Sequence, residues 1–482
     1  METKSEFFQT KAFIDGDFTP SESSSTFDVF NPYNSQLLAS VADCNSDDAL
    51  RAIDSAQRAF RLWKSLTGIE RSKLLNRWGE LMQIHKEELA EILTLEQGKP
   101  YREAIAEINY GASFVEWFAE EAKRVYGDTI PGELCNKRII VIKQPIGVVG
   151  AITPWNFPNA MITRKVAPAL AVGCTVVVKP SELTPLSALA LGALANLAGI
   201  PKGVLNIVPS SKPSEIGNTF CNNDAVKKIS FTGSTKIGKL LTSQSASTVK
   251  KLSLELGGNA PFIVFDDADL ELAAQHAIAA KFRNAGQTCV SANRIFVQWS
   301  VYDEFLEIFT QKVSKLKVGN GLDANVDIGP LISEKAKQNV LRLVDDAVEL
   351  GAKIFYQSKS KPKAESLMNP IVLTHLNPQM ELFKKEIFGP IAPIYEFSTE
   401  QQVIELANRT PYGLASYFFG KDHSRIWSVA ENLEYGMVGI NTGMISTTVA
   451  PFGGVKQSGY GREGSKYGID EFVSLKYLSW SI

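Results

Sequence analysis

The sequence predicts an α/β protein built on parallel β-sheets. Between residues 147 and 244, short β-rich runs alternate with helical segments, and a second alternation begins near Pro261. Apolar runs such as residues 175–178 are typical of strands that helices cover on both faces. Because 482 residues exceed what one simple core holds, we expect two or three domains.

Ahead of the first alternation, residues 10–45 predict short strands and turns. Helices are expected from near Ser46, over 71–96 and over 101–126, where helical patterns of apolar residues recur. Residues 129–144 contain a Pro-Gly turn and then an apolar run with basic ends, which predicts an extended hairpin. That hairpin is a candidate edge for pairing with another subunit.

Both alternating regions can be divided into individual elements. The first predicts strands at 148–152, 175–178, 204–208 and 228–231, and helices at 161–172, 186–198 and 234–244. The second predicts helices at 270–284, 302–316 and 334–350, a strand at 294–297 and a terminal strand at 467–482. No GxGxxG motif follows the strands of the first region. The nearest phosphate-type loop, 231–238, leads from a strand into a helix, where phosphate binds readily.

Composition argues against several classes of partner. Fifty basic and fifty-two acidic residues give a net charge of −2, so nothing favours nucleic acid or an anionic membrane. Five scattered cysteines indicate a reducing compartment, and four histidines without a cluster offer little for a zinc site. The polar N-terminus and the interrupted apolar run 166–178 predict neither an export signal nor a membrane span. We therefore expect a cytoplasmic protein without a metal ion.

Residues 281–294 contain the strongest candidate for chemistry. Cys289 directly follows Gly-Gln-Thr, and small residues there let the backbone approach a ligand and leave the sulfur uncovered. A thiol in such a turn can act as a covalent nucleophile when its surroundings favour the thiolate. For a cysteine taken alone, burial as a small hydrophobic side chain is the commoner fate.

Seven segments together resemble the NAD(P)-dependent aldehyde dehydrogenase superfamily, in the order that this family shows. They are residues 153–158, 179–182, 231–234, 254–258, 286–289, 386–390 and 451–454. Within the family, the chain is most similar to the succinate-semialdehyde dehydrogenases, through residues 108–128, 161–165, 281–290 and 459–470.

The resemblance implies an aldehyde dehydrogenase-like fold in three parts. A Rossmann-type, parallel-sheet cofactor domain is expected at 1–125 and 146–256, and an α/β catalytic domain at 257–457. A small β oligomerisation element is expected at 126–145 and 466–482, in a homodimer or a homotetramer made of dimers.

The resemblance also assigns catalytic roles. Cys289 would attack the aldehyde, and the Asn156 side chain with the Cys289 backbone N–H would stabilise the oxyanion. Glu255 would activate the water that hydrolyses the thioester, which argues against the relatives that transfer the acyl group to coenzyme A. From the residues alone, Asn156 could instead stabilise its own turn and Glu255 could be a salt-bridged carboxylate.

Nine residues are implied in cofactor binding: Ile152, Pro154, Trp155, Lys179, Glu182, Gly233, Ser234, Glu386 and Phe388. Glu182 is the informative one, because a carboxylate accepts hydrogen bonds from ribose hydroxyls and repels a 2′-phosphate. We therefore expect NAD, with NADP as the less favoured alternative. Residues 209–213 depart from the glycine that the family commonly has there.

Arg164, Arg283 and Ser446 match the subfamily's substrate contacts. Two guanidinium groups suit a carboxylate at the far end of a short aldehyde, which predicts oxidation of succinate semialdehyde. Each arginine taken alone could be a surface ion pair. Glutarate semialdehyde is the alternative substrate, and a catalytically silent scaffold on the same fold is the alternative of another class. Ser291 stands where several relatives have a second cysteine, so we expect no disulfide switch at Cys289.

Overall fold

The computed structural model describes residues 5–482. Its first part contains two strand pairs, four helices and a hairpin. The strands and helices are β1 (Ala12–Ile14), β2 (Asp17–Thr19), β3 (Thr26–Phe30), β4 (Leu37–Ala42), α1 (Ser46–Trp63), α2 (Gly68–Ile84), α3 (Lys86–Gln97) and α4 (Tyr101–Glu121). The hairpin is β5 (Asp128–Pro131) and β6 (Lys137–Pro145), which pair antiparallel as the sequence predicts.

The next nine elements alternate strictly between strand and helix. They are β7 (Val148–Ile152), α5 (Ala160–Val172), β8 (Thr175–Lys179), α6 (Pro185–Leu197), β9 (Leu205–Ile207), α7 (Pro213–Asn222), β10 (Val226–Thr232), α8 (Thr235–Ser245) and β11 (Lys251–Glu255). Their strands run parallel in the order β11-β10-β7-β8-β9. The chain reverses its direction of growth between β7 and β10, and ligands bind at such a switch point in open α/β sheets.

The remaining elements build a second sheet and the C-terminus. They are β12 (Ala260–Val264), α9 (Leu270–Phe282), β13 (Ala292–Gln298), α10 (Tyr302–Val313), α11 (Glu334–Glu349), β14 (Lys353–Gln357), β15 (Ile371–Thr374), α12 (Glu381–Lys384), β16 (Ile391–Phe397), α13 (Glu400–Asn408), β17 (Ala415–Phe419), α14 (His423–Asn432), β18 (Met437–Ile440), β19 (Gly459–Tyr460) and β20 (Val473–Ser481). The second sheet has the order β14-β15-β16-β13-β12-β17-β18, and only β14 is antiparallel to its neighbour.

A three-stranded sheet joins the C-terminus to the hairpin, in the order β20-β6-β5. β20 pairs antiparallel with β6 from Val473, opposite Pro145, to Ser481, opposite Lys137. The predicted terminal strand is therefore correct in type but starts late, because residues 466–472 form a 3₁₀ helix. Several large apolar side chains of β20 are exposed: Leu475, Tyr477, Leu478 and Trp480.

Two further pieces of β structure complete the four sheets. β3 and β4 form a two-stranded sheet, and β19 extends the first sheet beside β11. Where one domain ends and the next begins stays a prediction. Across residues 5–482, no helix combines the length and the apolar character needed to cross a bilayer.

Local expectations were met in part. The helical pattern over 71–96 corresponds to two helices, since α2 ends at Ile84 and α3 begins at Lys86. Helix α1 is capped near Ser46, as predicted: its N-cap is Asn45, whose side chain accepts from the backbone N–H of Asp48. Helix α7 was not predicted, since its ten residues begin at a proline and bury only a narrow apolar face.

Candidate active site

A cavity of about 290 Å³ lies where the two parallel sheets meet. It adjoins the carboxyl ends of β7, β10 and β11 and the segment that precedes β13. Twelve of the predicted site residues line it: Pro154, Trp155, Asn156, Arg164, Gly233, Ser234, Glu255, Arg283, Cys289, Glu386, Phe388 and Ser446. Three do not: Ile152, Lys179 and Glu182.

Cys289 reaches the cavity from a tightly turned segment. Asn284, Ala285 and Gly286 have φ values of 52°, 57° and 78°, so three successive residues occupy the left-handed region. That conformation is costly for non-glycine residues and is found mostly where the surroundings enforce it. Cys289 itself is half-buried. A Cβ on Gly258 would lie 2.2 Å from the Cys289 carbonyl oxygen, so only glycine fits beside the cysteine there.

Asn156 is held by hydrogen bonds on both sides. Its side-chain amide donates to the carbonyl oxygen of Gln287 at 3.0 Å. Its own carbonyl oxygen accepts from Lys99 Nζ at 2.8 Å and from Asn284 Nδ2 at 2.9 Å. Lys99 is fully buried and paired with Glu107. The Asn156 side-chain amide carries two hydrogens and uses one of them for Gln287, so the other is free to donate to a ligand.

Glu255 ends β11 and is 3% exposed. Neither of its carboxylate oxygens has a hydrogen-bond partner among residues 5–482. Burial raises the pKa of Glu255 well above its usual value, and the nearby charge of Glu463 raises it further, whereas Arg164 and Lys165 oppose the shift. A salt-bridged carboxylate would have its partner within hydrogen-bond distance, so that alternative does not describe Glu255.

The Cys289 thiol keeps its proton more tightly than an ordinary thiol. Burial raises its pKa to about 12, and the charge of Glu386 acts in the same direction. Arg164 and Arg283 lower it, but their effect is smaller than that of burial. Cys289 and Glu255 thus line one cavity, and the neutral form of each is favoured.

Two arginines and a serine face the same cavity. Arg164, on α5, is 2% exposed; its Nε donates to Glu463, and its guanidinium lies 3.9 Å from the centre of the Phe452 ring. Arg164 Nη2 is buried without a partner among the described residues. Arg283 follows α9. Both arginines line the cavity with Ser446, as expected for a site that binds an anionic group, and neither is a surface ion pair.

Four of the six cofactor candidates that line the cavity form two pairs. Gly233 and Ser234 precede the N-terminus of α8, and a Cβ on Gly233 would lie 2.5 Å from the Phe231 ring. Trp155 and Phe388 meet edge to face with ring centres 5.5 Å apart. A helix N-terminus opening onto a cavity suits the phosphates of a dinucleotide, so these residues fit NAD or NADP.

Glu386 also lines the cavity, whereas Ile152, Lys179 and Glu182 do not. Glu386 accepts from the Gly258 backbone N–H at 3.1 Å, and burial raises its pKa to about 7. Ile152 pairs with Lys179 across β7 and β8. Lys179 Nζ donates to Glu182 at 3.1 Å, so the two charges implied at the adenosine ribose are paired with each other.

Sequence reasoning missed five residues at or behind this site: Lys99, Glu107, Tyr110, Asn284 and Glu463. Their contacts join segments far apart along the chain, which periodicity does not reveal. The only local signals for any of these residues were the Gly-Lys-Pro run at 98–100 and the position of Asn284, two residues before Gly286. In the part of the chain that the structure describes, no three His, Cys, Asp or Glu side chains are grouped to hold a metal ion.

Comparison with known proteins gives close matches. The sequence model of the Aldehyde dehydrogenase family matches residues 18–478. The chain is 54% identical to the succinate-semialdehyde dehydrogenase [NADP(+)] GabD of Escherichia coli, over 98% of each chain. It is 53% identical to a glutarate-semialdehyde dehydrogenase of Pseudomonas putida, over 99% of each. The crystal structure of succinate-semialdehyde dehydrogenase from Burkholderia pseudomallei superposes with a TM-score of 0.98, at 53% identity and 99% coverage of both chains.

Proposed function

We propose that this chain, which belongs to the aldehyde dehydrogenase family, oxidises succinate semialdehyde to succinate with NAD as its preferred cofactor. One observation carries the substrate assignment: Arg164 and Arg283 line the same cavity as the Cys289 thiol. A neutral aldehyde would leave the unpartnered Arg164 Nη2 without an acceptor, and leaving a buried charged donor unpaired is costly.

The first step is attack of the Cys289 sulfur on the aldehyde carbon, with loss of the thiol proton. A carbon–sulfur bond forms as the S–H bond breaks, the thiol proton leaves to water, and the carbonyl electrons move to oxygen, giving the oxyanion of a thiohemiacetal. The free hydrogen of the Asn156 amide and the Cys289 backbone N–H would donate to that oxygen. Losing one such donor typically costs about 2.7–4 kcal/mol of barrier.

NAD, when bound, supplies the acceptor for the hydride that the thiohemiacetal carbon loses as it becomes a thioester. The residues that would hold it are Gly233 and Ser234 at the start of α8, and Glu386 and Phe388 beside the cavity. Phe388 has a φ of 54°, a strained conformation of the kind that clusters at ligand sites.

Hydrolysis of the thioester is the step we assign to Glu255. In its ionised form it would take a proton from water, the hydroxide would displace sulfur, and succinate would leave while the thiol regains a proton. A carboxylate whose pKa is raised is a stronger base, once ionised, than an ordinary carboxylate. Its two unpartnered oxygens are free to accept from that water.

Glutarate semialdehyde is the second candidate substrate, and the Pseudomonas putida relative favours it. It differs by one methylene, which a pocket discriminates by only about 1–3 kcal/mol. A silent scaffold is opposed by the clustering of Cys289, Glu255 and Asn156 around one cavity. Appearance of NADH from protein, NAD and succinate semialdehyde would exclude the scaffold.

The preference for NAD rests on Glu182. Its carboxylate would accept hydrogen bonds from the ribose hydroxyls, and it would repel a 2′-phosphate. GabD of Escherichia coli is named for NADP(+), so the two cofactors must be compared directly. The experiment is kcat/KM for succinate semialdehyde, glutarate semialdehyde and butanal, each with NAD and with NADP. Succinate semialdehyde with NAD should give the highest value, and a higher value for butanal would refute the proposed substrate class.

We also propose a homodimer or homotetramer assembled through the three-stranded sheet. Exposed Leu475, Tyr477 and Trp480 on β20 support this, since apolar patches of that kind mark interaction surfaces. Light scattering of the intact chain should show two or four copies. Replacing Tyr477 and Trp480 with charged residues should lower the measured mass of the assembly. A monomeric wild-type protein would contradict the proposed oligomer.

A further inference from the structure

Tyr110 places at the cavity a hydroxyl group whose proton has no acceptor. It lies on α4, lines the cavity, and its Oη atom is buried. A hydrogen bond from Arg164 lowers the pKa of Tyr110, but a guanidinium can only donate, and no described residue accepts the Tyr110 proton. A buried hydroxyl normally has a partner, so this one calls for an explanation.

The charged groups that act on Tyr110 do not accept its proton. Arg164 and Arg283 line the same cavity, their charges lower the pKa of Tyr110, and a guanidinium has donors only. The charge of Glu463 raises that pKa, but no hydrogen bond joins Glu463 to the Tyr110 hydroxyl, and its two oxygens accept from Arg164 and from Lys165. The Tyr110 O–H and Arg164 Nη2 are thus two donors that an anionic ligand in this cavity would satisfy.

The hydroxyl is held in place. The Tyr110 ring packs edge-on against Phe114, one helical turn later, with ring centres 4.9 Å apart. Phe114 in turn lies 5.9 Å from the Arg164 guanidinium. Burial raises the pKa of Tyr110 above its usual value, with the two arginines opposing, so the group keeps its proton at neutral pH and can donate.

Building on the function proposed above, we propose that Tyr110 donates a hydrogen bond to the anionic group at the far end of the substrate, beside Arg164 and Arg283. A carboxylate offers about four lone-pair positions, enough for two guanidinium groups and a hydroxyl. A sulfonate would satisfy the same donors. Tyr110 is then a specificity-determining residue that separates anionic from neutral aldehydes.

Tyr110→Phe tests this by removing the hydroxyl and keeping the ring against Phe114. The KM for succinate semialdehyde should rise about tenfold with little change in kcat, as expected for loss of a hydrogen bond to a charged group. KM for butanal, which has the same chain length and no carboxylate, should change less than about twofold. The dissociation constant of succinate, measured by calorimetry on the protein alone, should rise with the KM.

Tyr395→Phe is the matched control. Tyr395 also carries a buried hydroxyl without a partner, but it lies on β16 in the core and does not line the cavity. Removing the Tyr395 hydroxyl should leave the KM values for succinate semialdehyde and for butanal unchanged.

The outcomes separate the two proposals. Equal changes for succinate semialdehyde and butanal, or none for either, would overturn the role of Tyr110 alone, provided that the wild type prefers the carboxylated substrate. A wild type without that preference would overturn the proposed function itself.

Discussion

The side-chain amide of Asn156 donates to the carbonyl oxygen of Gln287 at 3.0 Å, which ties the proposed oxyanion donor to the segment that carries Cys289. Asn284 reinforces this link by donating to both carbonyl oxygens, at 2.9 Å to Asn156 and 3.3 Å to Gln287. One asparagine in a left-handed conformation therefore links Asn156 to the segment that carries the proposed nucleophile.

Asn284→Asp should lower kcat about tenfold to a hundredfold with little change in KM. The substitution keeps the size and the left-handed conformation but removes the donor to Asn156, and small misplacements of catalytic groups cost rates of this order. Steady-state kinetics and the melting temperature should be measured together. Asn222→Ala, on the surface of α7, is the control. Full kcat in Asn284→Asp would contradict the positioning role.

Arg283→Ala should reduce kcat/KM for succinate semialdehyde about a hundredfold and for butanal less than about threefold. The lost group is a charged hydrogen-bond donor that only an anionic substrate uses. Steady-state kinetics with succinate semialdehyde and with butanal gives the ratio of their kcat/KM values. Arg77→Ala removes an exposed surface arginine and should change neither value. Equal losses for both substrates would refute the carboxylate clamp.

Glu182→Ser should shift cofactor use toward NADP. The change removes the negative charge that opposes a 2′-phosphate, and it frees Lys179, whose Nζ now donates to Glu182 at 3.1 Å. We expect KM for NADP to fall about tenfold and KM for NAD to rise, because a lysine beside a phosphate attracts it. Fluorescence titration of each dinucleotide checks binding apart from turnover. An unchanged ratio of the two affinities would show that Glu182 does not select the cofactor.

Alkylation of Cys289 in the protein alone should accelerate with pH throughout the range 7 to 10. Only the thiolate reacts, and burial raises the pKa of this thiol to about 12. Below that pKa the thiolate fraction grows about tenfold per pH unit, so the rate should not level off. Iodoacetamide labelling followed by peptide mass spectrometry distinguishes Cys289 from the exposed Cys135. A plateau below pH 9 would contradict the raised pKa.

The sequence predicted the strands and turns that form this site better than the buried hydrogen bonds that connect them. Strand β7 matches the expected bounds, and the turn around Cys289 could be inferred because small residues are a local signal, whereas β11, which Glu255 ends, was not predicted. Lys99 and Asn156 are 57 residues apart, and Asn156 and Asn284 are 128 apart. Such buried polar contacts depend on how α3, α5 and the cysteine segment pack in three dimensions, and no periodic pattern records that.

The start of the terminal strand is another feature that local sequence patterns could not predict. Its apolar residues predicted β structure correctly, but its start depends on where β6 ends, at Pro145 opposite Val473. Pairing register fixes such boundaries, and the partner strand lies more than 300 residues earlier in the chain. The raised pKa of Glu255 could not have been predicted either, because it follows from burial beside Glu463.

We propose that Cys289 carries the acyl group and that Glu255 releases it. Glu255→Gln, mixed with NAD and succinate semialdehyde and quenched in acid, tests this by intact-protein and peptide mass spectrometry. We expect one rapid equivalent of NADH, slow turnover afterwards, and a single succinyl group on the peptide that contains Cys289. Rapid continuous turnover without an adduct, or a succinyl group on another side chain, would contradict it.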